Sequence, residues 1–301
     1  MSFYRHDSRL QAHLAGSIRV AAAACELDPA KDGAVAACLV RAQEGELLGA
    51  GVQAHRHFYP ASLVKLFHAA AYVLGAESGS FRPVEEDERA LAAMLRQSSD
   101  DADQYLVARM TGTTGGVWLD GDELNHWAER RQALTIAFQS MGVAEFEGIT
   151  VANPTFADGP YGAEVRFRQA LGGNRLSPLA VTRMMVALTG LLPPALPRAG
   201  HLLALLDRAA TRRSGATERS AQVAGFLAAE LPAEAALWSK AGWTGSVRHD
   251  AIVLRLPGAE PVWLTAMTSG ERFATSEAFL PRLGALVLGE QDMSEAATPT
   301  A

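Results

Sequence analysis

The chain has 301 residues, of which 49% are hydrophobic and 20% charged, and its formal net charge is −6. This composition is typical of a globular protein with one or two domains, and the negative charge without a basic run argues against a nucleic-acid partner. Prolines interrupt the apolar stretch near Leu191, and polar residues interrupt the one near the N-terminus. We therefore expect no membrane span and no secretory signal, which predicts a soluble cytoplasmic protein.

The two cysteines, Cys25 and Cys38, are too few for a disulfide framework and lack the spacing of a metal site. A single bridge is one interpretation, and a free buried pair is the one we prefer. No metal and no organic cofactor is expected, and the sequence leaves the oligomeric state open.

The first quarter of the chain alternates between helix and strand patterns. An apolar stripe predicts a helix over residues 9–24. Two strands are predicted over 34–41 and 47–54, with a hairpin turn at 44–46 between them. A strongly apolar helix is predicted over 62–74.

The middle of the chain is predicted to be mostly helical, except for an irregular segment over 148–174 that contains several glycines and prolines. Irregular segments of that length are often functional. One helix is expected to end near Gln97 and the next to start at Ser98 or Ser99. A third is predicted over 122–141, and a fourth starts at Ser177.

The last third predicts helices at 202–212, 220–231 and 276–288, and strands at 236–241, 250–256 and 262–268. The ends of the chain would then share one antiparallel sheet flanked by helices, with an all-helical lobe inserted between them. This is an α+β fold. We expect a single domain with an α/β lobe (1–66 with 195–288), a helical lobe (67–194) and a disordered tail (289–301).

Lysine usage gives the first indication of chemistry, because the chain has three lysines and twenty-four arginines. Lysine can lose its proton and act as a base, whereas arginine cannot. Ser62 and Lys65 lie three residues apart on a predicted helix, which places them on one face. A neutral Lys65 would be able to activate the hydroxyl of Ser62. The alternative is a biased composition with leftover lysines.

Two further segments contain candidate polar groups. In Ser98-Ser99-Asp100-Asp101, a second hydroxyl at a helix start would relay a proton, although Ser and Asp also cap helices without any other role. In Lys240-Ala241-Gly242, a lysine and a glycine on a strand would bind a substrate carboxylate. The backbone amide of Trp243 would form an oxyanion hole with that of Ser62. The alternative is an edge-strand lysine that discourages aggregation.

The order S-x-x-K, S-x-[ND], K-x-G on a helix start, a helix start and a strand matches the motif set of penicillin-binding proteins and class A β-lactamases. From about residue 10 to 288, the chain resembles the penicilloyl serine transferase superfamily, nearest to the class A β-lactamase fold, and more narrowly β-lactamase-like serine hydrolases. The resemblance implies Ser62 as nucleophile, Lys65 as base, Ser98 as relay with Ser99 as alternative, and Lys240 as electrostatic anchor. The closer likeness lies in segments 98–102, 111–114, 158–162 and 237–242.

The sequence departs from the β-lactamase pattern at three places. Asp100 and Ala241 stand where β-lactamases use asparagine and a hydroxyl residue, and the irregular segment lacks E-x-x-x-N. Glu164, or else Asp158, is a candidate deacylation base, unless both are solvated loop acids. We therefore expect weak or absent activity on penicillins.

The resulting prediction is a serine hydrolase that forms an acyl-serine with a small-molecule ester, amide or β-lactam in a cleft between the lobes. Asp100 and Asp101 suggest a cationic substrate, and His249 is interpreted as structural. One alternative function is a true β-lactamase or DD-peptidase. Another is a non-catalytic binding module that keeps the fold.

Overall fold

The computed structural model describes residues 2–192, 196–208, 222–232 and 234–289, so the predicted tail lies almost wholly outside the described residues. The chain divides into two compact units. One unit, here called the helical unit, contains His57–Leu206, and the other, the sheet unit, contains Ser2–Arg56 and the chain from Asp207 onward. The sequence patterns predict these divisions after residues 66 and 194.

The described elements confirm a mixed α+β fold. The strands are β1 (Arg5–His6), β2 (Ala34–Gln43), β3 (Glu46–Val52), β4 (Ala236–Trp243), β5 (Val247–Arg255) and β6 (Val262–Ser269). The helices are α1 (Ser8–Ala24), α2 (Val64–Glu77), α3 (Glu85–Arg96), α4 (Asp100–Thr111), α5 (Gly121–Gln139), α6 (Ala163–Leu171), α7 (Pro178–Leu188), α8 (Ala199–Leu205), α9 (Glu271–Thr275) and α10 (Phe279–Leu288). None of these helices is both long and apolar enough to cross a membrane.

The sheet unit is built on six strands in the order β1-β3-β2-β6-β5-β4. All neighbouring pairs are antiparallel except β1 with β3. Side chains on one face alternate with those on the other, and one face packs into an apolar core with α1 and α10. Asp7 starts α1, because its Oδ1 accepts the N–H groups of Arg9 and Leu10 at 2.9 Å.

The helical unit has α2 at its centre, and most side chains of this helix are buried. Ser99 and Ser177 are the N-caps of α4 and α7, and each hydroxyl accepts a backbone N–H three residues later at 3.2 Å. Pro178 occupies the first turn of α7, where its missing N–H has no cost. Capping thus fixes where two of these helices begin.

Some sequence-based expectations are wrong in detail. The segment expected to be irregular contains α6, whose start is set by Gly162 at φ +55°, where a side chain would clash with the carbonyl oxygen of Gly115. The described part of the helix expected at 220–231 consists of turns instead. Gly225 has φ +72° there, a conformation that interrupts a right-handed helix. Residues 209–212, the end of another expected helix, lie outside the described residues.

Asp250 is a buried carboxyl group in the sheet unit, paired with Ala241 across β4 and β5. Its Oδ2 accepts the N–H of Leu227 at 3.0 Å. Burial raises the pKa of Asp250 to about 8, against the opposing effect of backbone hydrogen bonds and of the charges of Lys240 and Arg208. The folded protein therefore holds Asp250 as a neutral acid at pH 7.

This protonation predicts how stability depends on pH. Between pH 5 and 8 the folded parent keeps a proton that the unfolded chain releases. The free energy of unfolding therefore falls as pH rises, by up to about 1.4 kcal/mol per pH unit. Asp250→Asn removes this dependence. Urea unfolding of both proteins at pH 5 and pH 8 will show the parent losing stability relative to the variant. A difference that is constant with pH would contradict the assignment.

Candidate active site

Ser62 and Lys65 lie at the beginning of α2. Ser62 is in a single 3₁₀ turn, Ala61–Leu63, that continues directly into the helix. The Nζ of Lys65 is 3.1 Å from the Oγ of Ser62. Ser62 is partly exposed, whereas Lys65 is completely buried. The spacing of three residues therefore places the buried amine beside the hydroxyl of a partly exposed serine.

The amine of Lys65 also contacts the segment that begins α4. It lies 2.5 Å from the carbonyl oxygen of Ser98, 3.3 Å from the Oγ of Ser98 and 2.6 Å from Oδ1 of Asp100. One nitrogen thus lies within hydrogen-bond distance of two hydroxyls, a carbonyl and a carboxyl group. This arrangement can move a proton between the two hydroxyls.

The backbone is strained on both sides of this amine. Ala61, directly before Ser62, has φ +46°, and Ser98 has φ +62°. Such left-handed conformations are unfavourable for residues other than glycine, and they cluster at functional sites, where surrounding contacts hold them. In this conformation, both the carbonyl oxygen and the hydroxyl of Ser98 lie within hydrogen-bond distance of the Lys65 amine.

Ser98 and Ser99 have different surroundings in the structure. The hydroxyl of Ser99 accepts the N–H of Ala102 as the N-cap of α4, while the hydroxyl of Ser98 faces Lys65. Of the two serines that the sequence allowed as relay, Ser98 is therefore the one whose hydroxyl contacts the amine.

Asp100 occupies the position where the related pattern has asparagine, and its carboxyl group is directed at the amine. Besides Lys65, its Oδ1 contacts the Oγ1 of Thr155 at 2.6 Å. About a quarter of the Asp100 side chain is exposed.

A second pair of titratable groups lies beneath this cluster, completely buried. Asp103 Oδ1 is 2.6 Å from Nδ1 of His68, and Asp103 Oδ2 accepts the N–H of Thr155 at 2.7 Å. Burial acts to raise the pKa of Asp103, but the charge and hydrogen bond of His68, with weaker effects of Lys65 and the Thr155 amide, lower it overall. Asp103 is therefore ionised at neutral pH.

These deeper residues did not appear among the sequence candidates. His68 follows Lys65 by three residues, as Lys65 follows Ser62, so all three lie along one side of the helix start. Asp103 follows Asp100 at the same spacing on α4. This repeated spacing of three residues is visible in the sequence and could have identified His68 and Asp103. Thr155 lies on a distant loop, and no sequence pattern connects it to these residues.

Glu164 lies on α6 in the helical unit, almost completely buried, and its Oε1 is 2.5 Å from NH2 of Arg131. The guanidinium of Arg131 stacks over the ring of Trp127 at 4.5 Å. Burial raises the pKa of Glu164, against the charge of Arg131, and burial also lowers the pKa of Arg131 to about 10. Arg131 remains charged at neutral pH, and its charge favours the ionised form of Glu164. Asp158, the second candidate base, is exposed.

The remaining predicted site residues, Lys240, Gly242 and Trp243, lie on β4 in the sheet unit. The buried Nζ of Lys240 contacts the Oε1 of Gln222 at 3.1 Å and the carbonyl oxygen of Ala241 at 2.6 Å. His249, on β5, accepts the N–H of Thr268 through Nδ1. This contact links β5 to β6.

The backbone of β4 has an orientation that bears on an oxyanion hole. This strand is at one edge of the sheet, and the N–H of Ala241 points toward Gln222, 3.4 Å away and outside the sheet. Because N–H groups of alternate residues in a strand point to the same side, the N–H of Trp243 points to that edge as well.

Within the described residues, no group of His, Cys, Asp and Glu has the arrangement of a metal site.

Comparison with protein families gives the relationship directly. A model described as the beta-lactamase enzyme family matches residues 88–291, which is more than half of the chain. The chain belongs to the beta-lactamase enzyme family. This match begins after Ser62 and Lys65, so the position of those two residues is evidence independent of it. A search of curated proteins found no significant match.

Solved structures of the same fold resemble this β-lactamase family member over nearly their whole length. A β-lactamase from Burkholderia vietnamiensis is 18% identical with a TM-score of 0.62, covering 98% of this chain and 99% of its own. One from Xanthomonas campestris is 19% identical with a TM-score of 0.60, covering 93% and 98%. A variant of PBP-A, solved as an acyl-enzyme complex with penicillin G, is 15% identical with a TM-score of 0.65, covering 98% and 100%.

The two adjacent serines provide a matched test of the local geometry. Ser99→Ala removes the N-cap of α4 and is expected to lower the free energy of unfolding by about 1 kcal/mol. Ser98→Ala keeps that cap and is expected to have a smaller effect. Urea unfolding of the two variants measures this difference, and equal losses would show that Ser99 does not act as the cap.

Proposed function

We propose that this member of the beta-lactamase family is a serine hydrolase that forms a covalent acyl-serine at Ser62. The observation that supports this most directly is the position of one buried amine, Lys65 Nζ, 3.1 Å from the Ser62 hydroxyl and 3.3 Å from the Ser98 hydroxyl. A nucleophile within hydrogen-bond distance of a base, with a second hydroxyl beside that base, is the arrangement that acyl transfer requires.

In the proposed reaction, the neutral amine of Lys65 takes the proton of the Ser62 hydroxyl while Oγ bonds to the carbonyl carbon of the substrate. The π electrons of the carbonyl group move to its oxygen. When the carbonyl reforms, the bond to the leaving group breaks, and the leaving group takes the proton of Ser98 Oγ. The ammonium of Lys65 then returns a proton to Ser98. Water then bonds to the acyl carbon, the bond from that carbon to Ser62 Oγ breaks, and Oγ takes the proton that the water gives up. The acyl group leaves as a carboxylic acid and the enzyme is restored.

The proposed roles of the β4 residues rest on the family resemblance. Lys240 is proposed as the electrostatic anchor for a substrate carboxylate, beside Gly242. The backbone amide of Trp243 is proposed as an oxyanion donor, and its direction at the edge of the sheet is compatible with that role. Ala241 offers no hydroxyl for a carboxylate.

The proposed substrate is a small ester, amide or lactam whose acyl-enzyme is hydrolysed slowly. Two observations support slow hydrolysis. The Glu164 carboxylate is buried in an ion pair with Arg131, and the other candidate base, Asp158, is exposed on a loop. The penicillin G acyl-enzyme of the PBP-A variant supports acylation by a β-lactam as a second possibility for this chain.

Covalent labelling tests the nucleophile. Incubation with a fluorophosphonate, and separately with penicillin G, is expected to add one equivalent of probe to the parent, because Lys65 activates the Ser62 hydroxyl. Intact mass and peptide mapping locate the adduct. Ser62→Ala is expected to abolish it, while Ser99→Ala is the matched control that keeps it.

Two results would contradict this proposal. One is an adduct that survives Ser62→Ala. The other is a parent that no ester, amide, lactam or phosphonate probe modifies, which would favour a non-catalytic binding protein with this fold.

Glu164 is proposed to stabilise the helical unit rather than to act as the deacylation base. Glu164→Gln leaves the buried Arg131 without an opposite charge, which is expected to lower the free energy of unfolding by about 3 kcal/mol. The lifetime of the acyl-enzyme, followed by mass spectrometry, is expected to change little.

A folded Glu164→Gln variant whose acyl-enzyme lasts at least about 100-fold longer than that of the parent would instead identify Glu164 as the base. Asp158→Asn is the matched control, since this exposed carboxylate should affect neither stability nor lifetime.

A further inference from the structure

Strand β4 lies at one edge of the sheet, and groups from elsewhere in the sheet unit bind its outward backbone atoms. The N–H of Arg208 donates to the carbonyl oxygen of Leu237 at 2.8 Å, and Nη2 of Arg208 donates to that of Ser239 at 3.2 Å. Two residues further along the strand, the N–H of Ala241 donates to Oε1 of Gln222 at 3.4 Å. Gln222 thus continues a row of contacts along this edge.

The same oxygen of Gln222 also accepts a hydrogen bond from the side chain of Lys240. The Nζ of Lys240 lies 3.1 Å from Oε1, and it donates a second hydrogen bond to the carbonyl oxygen of Ala241 at 2.6 Å. Gln222 and Lys240 are both buried, with 2% and 0% of their surface exposed. A lysine amine and a backbone N–H can only donate, so the carboxamide atom between them is its oxygen rather than its nitrogen.

Two donors, Lys240 Nζ and the N–H of Ala241, thus form a position for one oxygen atom, here called the oxygen site. The carboxamide oxygen of a glutamine and an oxygen of a carboxylate are both trigonal acceptors that bind N–H donors at similar distances. A lysine amine beside a backbone N–H is also a set of donors that suits a carboxylate. Gln222 therefore fills, with a group of this chain, the position that a substrate carboxylate would take at Lys240.

A carboxylate and the Gln222 side chain would compete for the oxygen site. The negative charge of a carboxylate attracts a lysine amine more strongly than a neutral carboxamide does. However, the carboxylate must lose its hydration, and it must break two hydrogen bonds that are already made in a buried place. Ala241 has no side-chain hydroxyl that could serve as a further donor. These costs reduce the advantage of a carboxylate over an uncharged group.

We propose that Gln222 is a specificity-determining residue that closes the oxygen site, so that this protein favours esters, amides or lactams without a carboxylate at that place. A substrate carboxylate binds there only when the Gln222 side chain moves away. This inference rests on the proposed function, because it refines the anchor role of Lys240 for substrates that acylate Ser62.

Penicillin G and its methyl ester test this proposal, because they differ only at the carboxylate. Intact mass gives the rate at which each one labels Ser62, and the ratio of the acid rate to the ester rate is compared among variants. The parent is expected to label at least as fast with the ester. Gln222→Ala empties the oxygen site and is expected to raise the ratio about 10-fold, since the carboxylate then binds Lys240 without displacing a side chain.

Gln222→Glu is expected to produce the opposite change. Its carboxylate remains at Lys240 and repels that of penicillin G, so the ratio is expected to fall about 10-fold below that of the parent. Gln11→Ala is the matched control, because Oε1 of Gln11 accepts the N–H of Gly51 at 3.1 Å on β3, which three strands separate from β4. This control removes a similar contact and should leave the ratio unchanged.

A glutamine that only satisfies a buried amine predicts a different result. Gln222→Ala would then lower the free energy of unfolding, while both Gln222 variants would keep the ratio of the parent, and this outcome would overturn the proposal. A ratio that falls in Gln222→Ala would overturn it as well. If circular dichroism shows that Gln222→Ala does not fold, Gln222→Glu decides the result alone, because it keeps an acceptor for Lys240.

A binding measurement separates this proposal from the proposed function. In a Ser62→Ala background, calorimetry gives the Kd of penicillin G and of its methyl ester without acylation. If the parent never labels on Ser62, but Gln222→Ala tightens binding of the acid relative to the ester by about 10-fold, only the hydrolase function is refuted. A parent that labels on Ser62 with a ratio that neither Gln222 variant changes refutes only the role of Gln222.

Discussion

The burial of the Lys65 amine is the constraint on which the arrangement of the helical unit depends. An amine removed from water needs a partner for each of its hydrogens, and the 3₁₀ turn before α2 provides only the hydroxyl of Ser62. The remaining partners come from the segment that begins α4. Satisfying one nitrogen therefore holds two helix starts together, and it brings the hydroxyls of Ser62 and Ser98 to the same atom.

Two buried ion pairs in this unit show how similar interactions serve different purposes. Arg131 stacks on the ring of Trp127 and pairs with Glu164, and its charge favours the ionised form of that carboxyl group. His68 Nδ1 and Asp103 Oδ1 also lie 2.6 Å apart, but Oδ2 of Asp103 contacts the N–H and the hydroxyl of Thr155. The first pair supports the packing of α5 and α6. The second is connected to the Lys65 amine through the hydroxyl of Thr155 and the carboxyl group of Asp100.

Sequence patterns identify most of the fold because apolar periodicity and capping are local properties. The five longer strands and the start of α4 are examples, since alternation and a serine cap need no distant partner. The errors occur where one glycine changes the backbone. Gly162 starts a helix in a segment that appears irregular, and Gly225 replaces an expected helix with turns. Two-residue strand β1 is too short for any periodic signal.

The sequence by itself determined the fold class and the proximity of Ser62 and Lys65 at a helix start. It also narrowed the candidates for the proton relay and the deacylation base to a few residues. Tertiary structure decided that Ser98 faces the amine while Ser99 caps α4, and that Glu164 is paired with Arg131. It also decided that Asp100 contacts Lys65 and Thr155. The physical reason is that helical spacing depends on neighbours along the chain, whereas hydrogen-bond partners and protonation depend on atoms that come from distant segments.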